Sequence, residues 1–183
     1  MLAAEHATPT DRRWMTRALE LARQAAARGE VPVGAVVYDT TTGEQIAEAS
    51  NTRQQSNDPT GHAELLAVRA AAATLDDWRL TGCTVVVTLE PCPMCAGMLV
   101  NARVGRVVYG ADDPKAGACR SLFAITTDTR LNHCCEVVAG LEAERCGRVL
   151  TEFFRQRRHE QRAARTPLRA QHNDHNAEAP DDA

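Results

Sequence analysis

The stretch Thr84-Val85-Val86-Val87-Thr88-Leu89-Glu90-Pro91-Cys92-Pro93-Met94-Cys95 decides the architecture of this 183-residue chain. Its first six residues are β-branched or apolar and sit between Gly82 and Pro91, the composition of a central strand. Pro93 then suits the first turn of a helix, where its missing N–H removes no hydrogen bond, and that helix is expected to run to about Arg103. A strand feeding a helix through a tight turn is a unit of layered α/β folds.

Upstream, Asp11 is expected to cap a helix in which Trp14, Met15, Ala18, Leu19, Ala22, Ala25 and Ala26 recur at helical spacing, with Gly29 ending it. Val33 to Tyr38 reads as a buried strand, Asp39 to Gly43 as a turn, and Glu44 to Ala49 as a second strand. A polar loop, Asn51 to Thr60, precedes a helix expected from about His62 to Leu75. Downstream come a strand at Val104–Tyr109 closed by Gly110, a short strand near Glu136–Val138, and a helical stretch from Leu141 to Arg165. A hairpin opens this order and helical crossovers join the later strands, so the expected fold is a three-layer α/β/α sandwich around a mixed sheet of about five strands. Residues 1–165 form a single domain in this reading, and the polar, acidic tail at 166–183 is expected to be disordered.

Composition excludes several classes. Hydrophobic residues make up 44% and charged residues 25% of the chain, ordinary values for a globular protein. No apolar run approaches the ~20 residues of a membrane-spanning helix. Glu5, His6 and Pro9 stand where a signal peptide needs a basic start and an apolar middle, so a soluble, cytoplasmic protein without a membrane partner is expected. The net charge of −3 resides in the tail, leaving the first 165 residues balanced and unlike a strongly basic nucleic-acid clamp. Only Lys115 among the 21 basic residues is lysine, a bias that GC-rich coding explains as well as phosphate recognition does. Seven cysteines at irregular spacing do not make a disulfide framework. Cys83, Cys119, Cys134, Cys135 and Cys146 read as small core residues.

Two short patterns carry the chemistry: His62-Ala63-Glu64 and Pro91-Cys92-Pro93-Met94-Cys95. Given this composition, an H-x-E triplet arises by chance about 0.4 times, whereas P-C-x-x-C arises only about 0.01 times. Each occurs once and each opens an expected helix. C-x-x-C at a helix start aims two sulfurs at one point, and the helix N-terminus stabilises thiolates. His62 from the second helix start completes three ligands, which suits catalytic zinc with one position left for water. Glu64, two residues on, is placed to move that water's proton. A redox C-x-x-C is the rival reading, but it gives no reason for the matched His-x-Glu.

H-x-E followed by P-C-x-x-C is the signature of the zinc nucleobase deaminases. The chain resembles the bacterial tRNA-specific adenosine deaminase family, within the cytidine and deoxycytidylate deaminase superfamily, well beyond that signature. Matching stretches are Glu30 to Val36, Asn51, Asp58 to Glu64, Thr88 to Cys92, Met94 to Gly97, Gly105 to Ala111, Lys115 to Ala118, Leu131-Asn132-His133 and Phe153-Phe154-Arg155, in register over about residues 11–160. The resemblance implies a cytidine-deaminase-like fold and a hydrolase that releases ammonia from a cyclic amidine, turning adenosine into inosine at the wobble position. It implies one Zn²⁺ per subunit on His62, Cys92 and Cys95, with Glu64 protonating N1 and the departing ammonia. Asn51 and the backbone around Ala63 would contact the flipped nucleoside and Val33 would line the base pocket. The implied partners are a tRNA anticodon stem-loop, whose unpaired bases are readily splayed out, and a second copy in a homodimer; no DNA partner is expected.

Asp113 and Lys115 fall in a loop that lies near RNA in similar proteins. The Leu141–Arg165 stretch holds seven Arg and four Glu, with Arg155, Arg157 and Arg158 clustered after Phe153-Phe154. It reads either as a solvated face or as a row of phosphate contacts. The chain departs from the family at Cys119-Arg120-Ser121, where Arg120 replaces a glycine and its freedom for positive φ, and at the vicinal Cys134-Cys135. Two other functions remain open at this point. One keeps the zinc chemistry on a free base or nucleoside such as guanine, cytosine or cytidine. The other is a zinc-stabilised binding module with a fourth cysteine ligand, which gives Glu64 no role.

Overall fold

The computed structural model describes residues 2–174 and places six strands in one sheet: β1 (Leu2–Ala3), β2 (Gly34–Asp39), β3 (Gln45–Ser50), β4 (Cys83–Leu89), β5 (Arg106–Ala111) and β6 (Glu136–Ala139). The helices are α1 (Pro9–Ala27), α2 (Arg53–Ser56), α3 (Ala63–Leu75), α4 (Pro93–Asn101) and α5 (Ala143–Asp174). Across the sheet the order is β1-β6-β5-β4-β2-β3. β2 runs antiparallel to β3 and β4, whereas β4, β5, β6 and β1 are mutually parallel neighbours. The mixed sheet agrees with the hairpin-then-crossover reading of the sequence. The sixth strand, Leu2–Ala3 on Val138 and Ala139, is an addition to it.

The central strands are apolar on both faces because both faces are covered. Ala35, Val37, Val85, Val87, Val107 and Tyr109 pack with Ala63, Ala67, Val68 and Ala71 of α3 and Leu99 of α4. The intervening Val36, Tyr38, Val86 and Val108 pack with Trp14, Met15, Ala18 and Leu19 of α1, and with Leu141 and Cys146. A period of two along each strand thus sorts side chains into two cores, one per helical layer. At Gly34, a β-carbon would collide with the backbone oxygen of Ala18, so α1 can lie this close to β2 only over a glycine.

Several boundaries differ from the sequence reading. The cap of α1 is Thr8 rather than Asp11. Thr8 Oγ1 accepts the Asp11 N–H at 3.1 Å and Asp11 Oδ2 accepts the Thr8 N–H at 2.7 Å, a reciprocal capping box with Pro9 just inside. The helix after Pro93 stops at Asn101, and its neighbouring strand begins at Arg106. α5 continues past Arg165 and Pro167 to Asp174, so the first part of the expected disordered tail is helical; helix-forming residues flank the proline on both sides. The rest of that tail, 175–183, lies outside the described residues. The chain divides into two compact units, Met1–Leu150 and Thr151–Ala183, and the fold above belongs to the first. Cys83, Cys119, Cys135 and Cys146 are buried as expected, but Cys134 is exposed. Among the described residues, no helix is long and apolar enough to cross a membrane.

Candidate metal centre and catalytic site

α3 and α4 begin side by side, and the residue at each N-cap carries a metal-ligating side chain. His62 caps α3 in an extended conformation (φ −84°, ψ 143°) and Cys92 caps α4 likewise (φ −72°, ψ 171°). Neither side chain bonds to its own helix end. They turn toward each other instead: His62 Nδ1 lies 3.6 Å from both Cys92 Sγ and Cys95 Sγ. Zinc bonds of about 2.0–2.1 Å to nitrogen and about 2.3 Å to sulfur give a tetrahedral N···S edge of about 3.6 Å, so these donors fit zinc as they stand. Cys95 is buried while His62 and Cys92 are half-buried, leaving one side of the triangle open.

The thiols divide the charge unequally. Hydrogen bonding from Cys95, and then from His62, lowers Cys92 to about 4 against its desolvation. Cys95, beside that thiolate and buried, is pushed far up. His62 is raised by its hydrogen bond to Cys92 and by the nearby Glu64 charge, against desolvation. Glu64 is 4% exposed, and burial raises it above the usual carboxylate range. An acid two residues beyond a ligand, on the first turn of α3, is thus buried beside the triangle, within hydrogen-bond reach of Cys95.

The nominated substrate residues are brought together by the backbone. Val33 O accepts the Asn51 N–H at 3.1 Å, and Asn51 Oδ1 accepts the Ala63 N–H at 2.9 Å. Asn51 therefore does for α3 what His62, turned to the metal site, does not. Buried Glu30, to which sequence reasoning gave no role, receives the N–H groups of Gln54 and Gln55 at 3.1 and 2.7 Å and holds the loop leading to His62.

Glu90 was likewise missed. It lies two residues before Cys92, is 1% exposed, and accepts backbone N–H bonds from Asp113, Cys119, Arg120 and Ser121. Those bonds and the Ser121 hydroxyl keep its carboxyl below the usual range despite desolvation. The Asp113 carboxylate is turned onto its own loop, accepting the Lys115 and Ala116 N–H groups, while Lys115 is exposed. Arg120 does not adopt positive φ, so the departure from glycine brings no backbone strain; its guanidinium spans both Asp112 oxygens at 2.9 and 2.8 Å. The Asn132 amide oxygen accepts from Arg103 at 2.6 Å and the His133 ring contacts Val104 O at 2.8 Å, so this pair is engaged within the fold. In the second unit, Arg155, Arg157 and Arg158 are exposed on α5, with Arg157 stacked over Phe153.

A mixed sheet whose helix starts converge one histidine and two cysteines, with a buried glutamate beside them, defines a zinc-binding deaminase domain. The chain matches the cytidine and deoxycytidylate deaminase zinc-binding region over residues 8–111. A tRNA-specific adenosine deaminase of Bacillus subtilis (strain 168) is 46% identical over 158 residues, covering 86% of this chain and 97% of the relative. One of Haemophilus influenzae is 42% identical over 170 residues, covering 93% and 98%. A solved structure from a study of A-to-I editing by tRNA:A34 deaminases at the wobble position superposes with a TM-score of 0.71 at 40% identity, over 75% of this chain and 99% of that one. A guanine deaminase from Nitrosomonas europaea gives 0.68 at 25% identity, over 80% and 85%. The chain belongs to the cytidine and deoxycytidylate deaminase family, on its tRNA-specific adenosine deaminase branch.

Proposed function

We propose that this chain hydrolyses adenosine to inosine at the wobble position of a tRNA anticodon loop, through a deaminase domain spanning residues 1–165. The observation that carries the hydrolytic chemistry is Glu64, a buried acid placed beside the His62–Cys92–Cys95 triangle, and the likeness to tRNA-specific adenosine deaminases supports the substrate. A structural zinc site gives such a residue no task.

His62, Cys92 and Cys95 would hold zinc, which when bound would polarise a water and lower its pKa toward ~7. Glu64 is placed to accept a proton from the attacking water and would hand it to N1 of the adenine ring. As the water oxygen bonds to C6, Glu64 would take the second proton, from the new C6 hydroxyl, and give it to the amine as the C6–N bond breaks, so that water and adenosine become inosine and ammonia. Glu64 is buried, so a proton it accepts is shielded from bulk water between transfers. Asn51 has its oxygen engaged by Ala63 N–H, which leaves its amide N–H groups to donate to the nucleoside. Val33 and the backbone of Ala63 wall the base, and Lys115, Arg155, Arg157 and Arg158 meet phosphates, with Asp113 shaping the loop that bears Lys115.

The protein is proposed to act in the cytoplasm as a homodimer. Exposed Leu122, Phe123 and Leu131, at 52%, 54% and 42%, support a second copy covering this surface. The likeness to a guanine deaminase favours one second reading, deamination of a free purine.

Zinc-loaded protein offered an anticodon stem-loop with wobble adenosine, free adenosine, guanine and cytosine separates the readings. Inosine in the RNA alone, abolished by Glu64→Ala, is expected. Turnover of guanine with the RNA untouched would overturn the substrate assignment and keep the zinc chemistry.

A further inference from the structure

The Glu90 carboxylate is filled from one side. Its Oε1 accepts N–H bonds from Cys119, Arg120 and Ser121 at 3.0, 2.7 and 2.9 Å, and its Oε2 accepts the Asp113 N–H at 3.0 Å and the Ser121 hydroxyl. The adjoining backbone adds two bonds: Glu90 N–H to Ala111 O and Ala118 N–H to Pro91 O, each 2.8 Å. The segment from Asp112 to Ser121 is thereby tied to the two residues that lead directly into Cys92.

Beyond these bonds the segment is held by the Ile125 N–H on Ala118 O at 3.0 Å, by the Tyr109 hydroxyl on Asp112 Oδ1 at 3.2 Å and by burial of Cys119 in the core. Asp112, Pro114, Lys115 and Arg120 are exposed, and only Gly117, Ala118 and Cys119 are buried. Gly117 is there because a β-carbon would collide with the Glu90 carboxylate. On the outside Arg120 bridges Asp112, but both are well exposed and such a pair adds little. A buried carboxylate with five converging donors is the dominant restraint, since each loop N–H would otherwise be desolvated without a partner.

We infer that Glu90 is a positioning residue for RNA: it fixes the Asp112–Ser121 loop relative to the metal-ligand turn, so that the exposed Lys115 is presented in a set place. The inference rests on the proposed RNA substrate for its consequence, but not for the loop restraint itself. Both carboxylate oxygens are spent on the loop, so Glu90 acts through it and not on the substrate. Its loss therefore weakens capture of the stem-loop more than it slows the chemical step.

The test compares Glu90→Gln with the wild type, both zinc-loaded. Gln keeps the shape but sets an amide N–H₂ against N–H donors. Hydrogen exchange at residues 113–121 is expected to accelerate at least about tenfold while the start of α3 is unchanged. The KM for the stem-loop is expected to rise about tenfold with kcat changing less than about threefold. Unchanged exchange and unchanged KM overturn the inference. So does loss of kcat and zinc with KM intact, which would make Glu90 a support for Cys92. Should Glu90→Gln not fold, Ser121→Ala removes one donor from the same carboxylate and must shift exchange and KM in the same direction. If the wild type leaves RNA untouched, the substrate reading fails, and the exchange measurement still decides the loop restraint.

Discussion

Arg106 donates from Nη1 to Asp11 Oδ1 across 2.7 Å, joining the first turn of α1 to the start of β5 although 95 residues separate them. Tyr38 donates to the same oxygen at 2.7 Å, and the Thr8 N–H and hydroxyl hold the other. Glu136 shares the guanidinium at 2.9 Å. The cluster lies at the opposite end of the strands from the metal ligands, because Arg106 opens β5 whereas Cys92 follows the end of β4. Its effects are therefore on stability.

Asp11 is fully buried, and desolvation alone would raise it; the bonds from Arg106, Tyr38 and Thr8 outweigh that and lower it. A carboxyl with a depressed folded pKa contributes stability above its unfolded value of about 3.9, lost as pH falls through the folded value. Urea midpoints are expected to fall steeply below about pH 4, and Asp11→Asn is expected to flatten that fall while costing about 3 kcal/mol at neutral pH. Midpoints measured between acidic and neutral pH, on both proteins, check this.

Glu64→Ala removes the proposed proton carrier but none of the three metal-binding side chains. Bound zinc is expected to stay at one equivalent while kcat falls by about 10²-fold or more, read by metal analysis and inosine formation on the same sample.

Asn51→Ala uncovers the buried Ala63 N–H and removes the amide proposed to meet the nucleoside. A loss of about 1–2 kcal/mol in chemical denaturation is expected, together with a fall in kcat/KM larger than the stability loss explains.

Gly34→Ala drives a methyl group into the Ala18 carbonyl and to 2.8 Å from the Leu21 β-carbon. Separating α1 from β2 is expected to cost about 1–3 kcal/mol with zinc affinity unchanged, as thermal unfolding and metal titration will show.

Arg155, Arg157 and Arg158 are exposed on α5. Replacing all three with alanine is expected to raise the KM for the stem-loop and to shrink the slope of log affinity against log salt by about 2, the signature of lost phosphate contacts.

Most of the site was legible because its chemistry is local in sequence. His62, Glu64, Cys92 and Cys95 lie on two short segments, each opening a helix, and a β-branched run marks β4 without ambiguity. The residues that went unread act at a distance through the backbone. Glu90 and Glu30 find their partners in main-chain N–H groups 23–31 and 24–25 residues away, a pairing that no pattern of side chains announces. β1 has two residues, too few to show an alternation. Asp11 has the residue type of a cap and sits in the capping box, but Pro9 fixes the helix start one residue after Thr8. Asn132 and His133, in a stretch that matches the family, are engaged by Arg103 and Val104 within the fold.

His62 meets the two sulfurs across 30 and 33 residues of chain, and β4, which lies between them, is paired with β2 in the sheet. Neither segment alone offers three donors. Metal retention is thus a property of the assembled sheet, and release of zinc to a coloured chelator during denaturation will serve as a clock for the loss of tertiary structure.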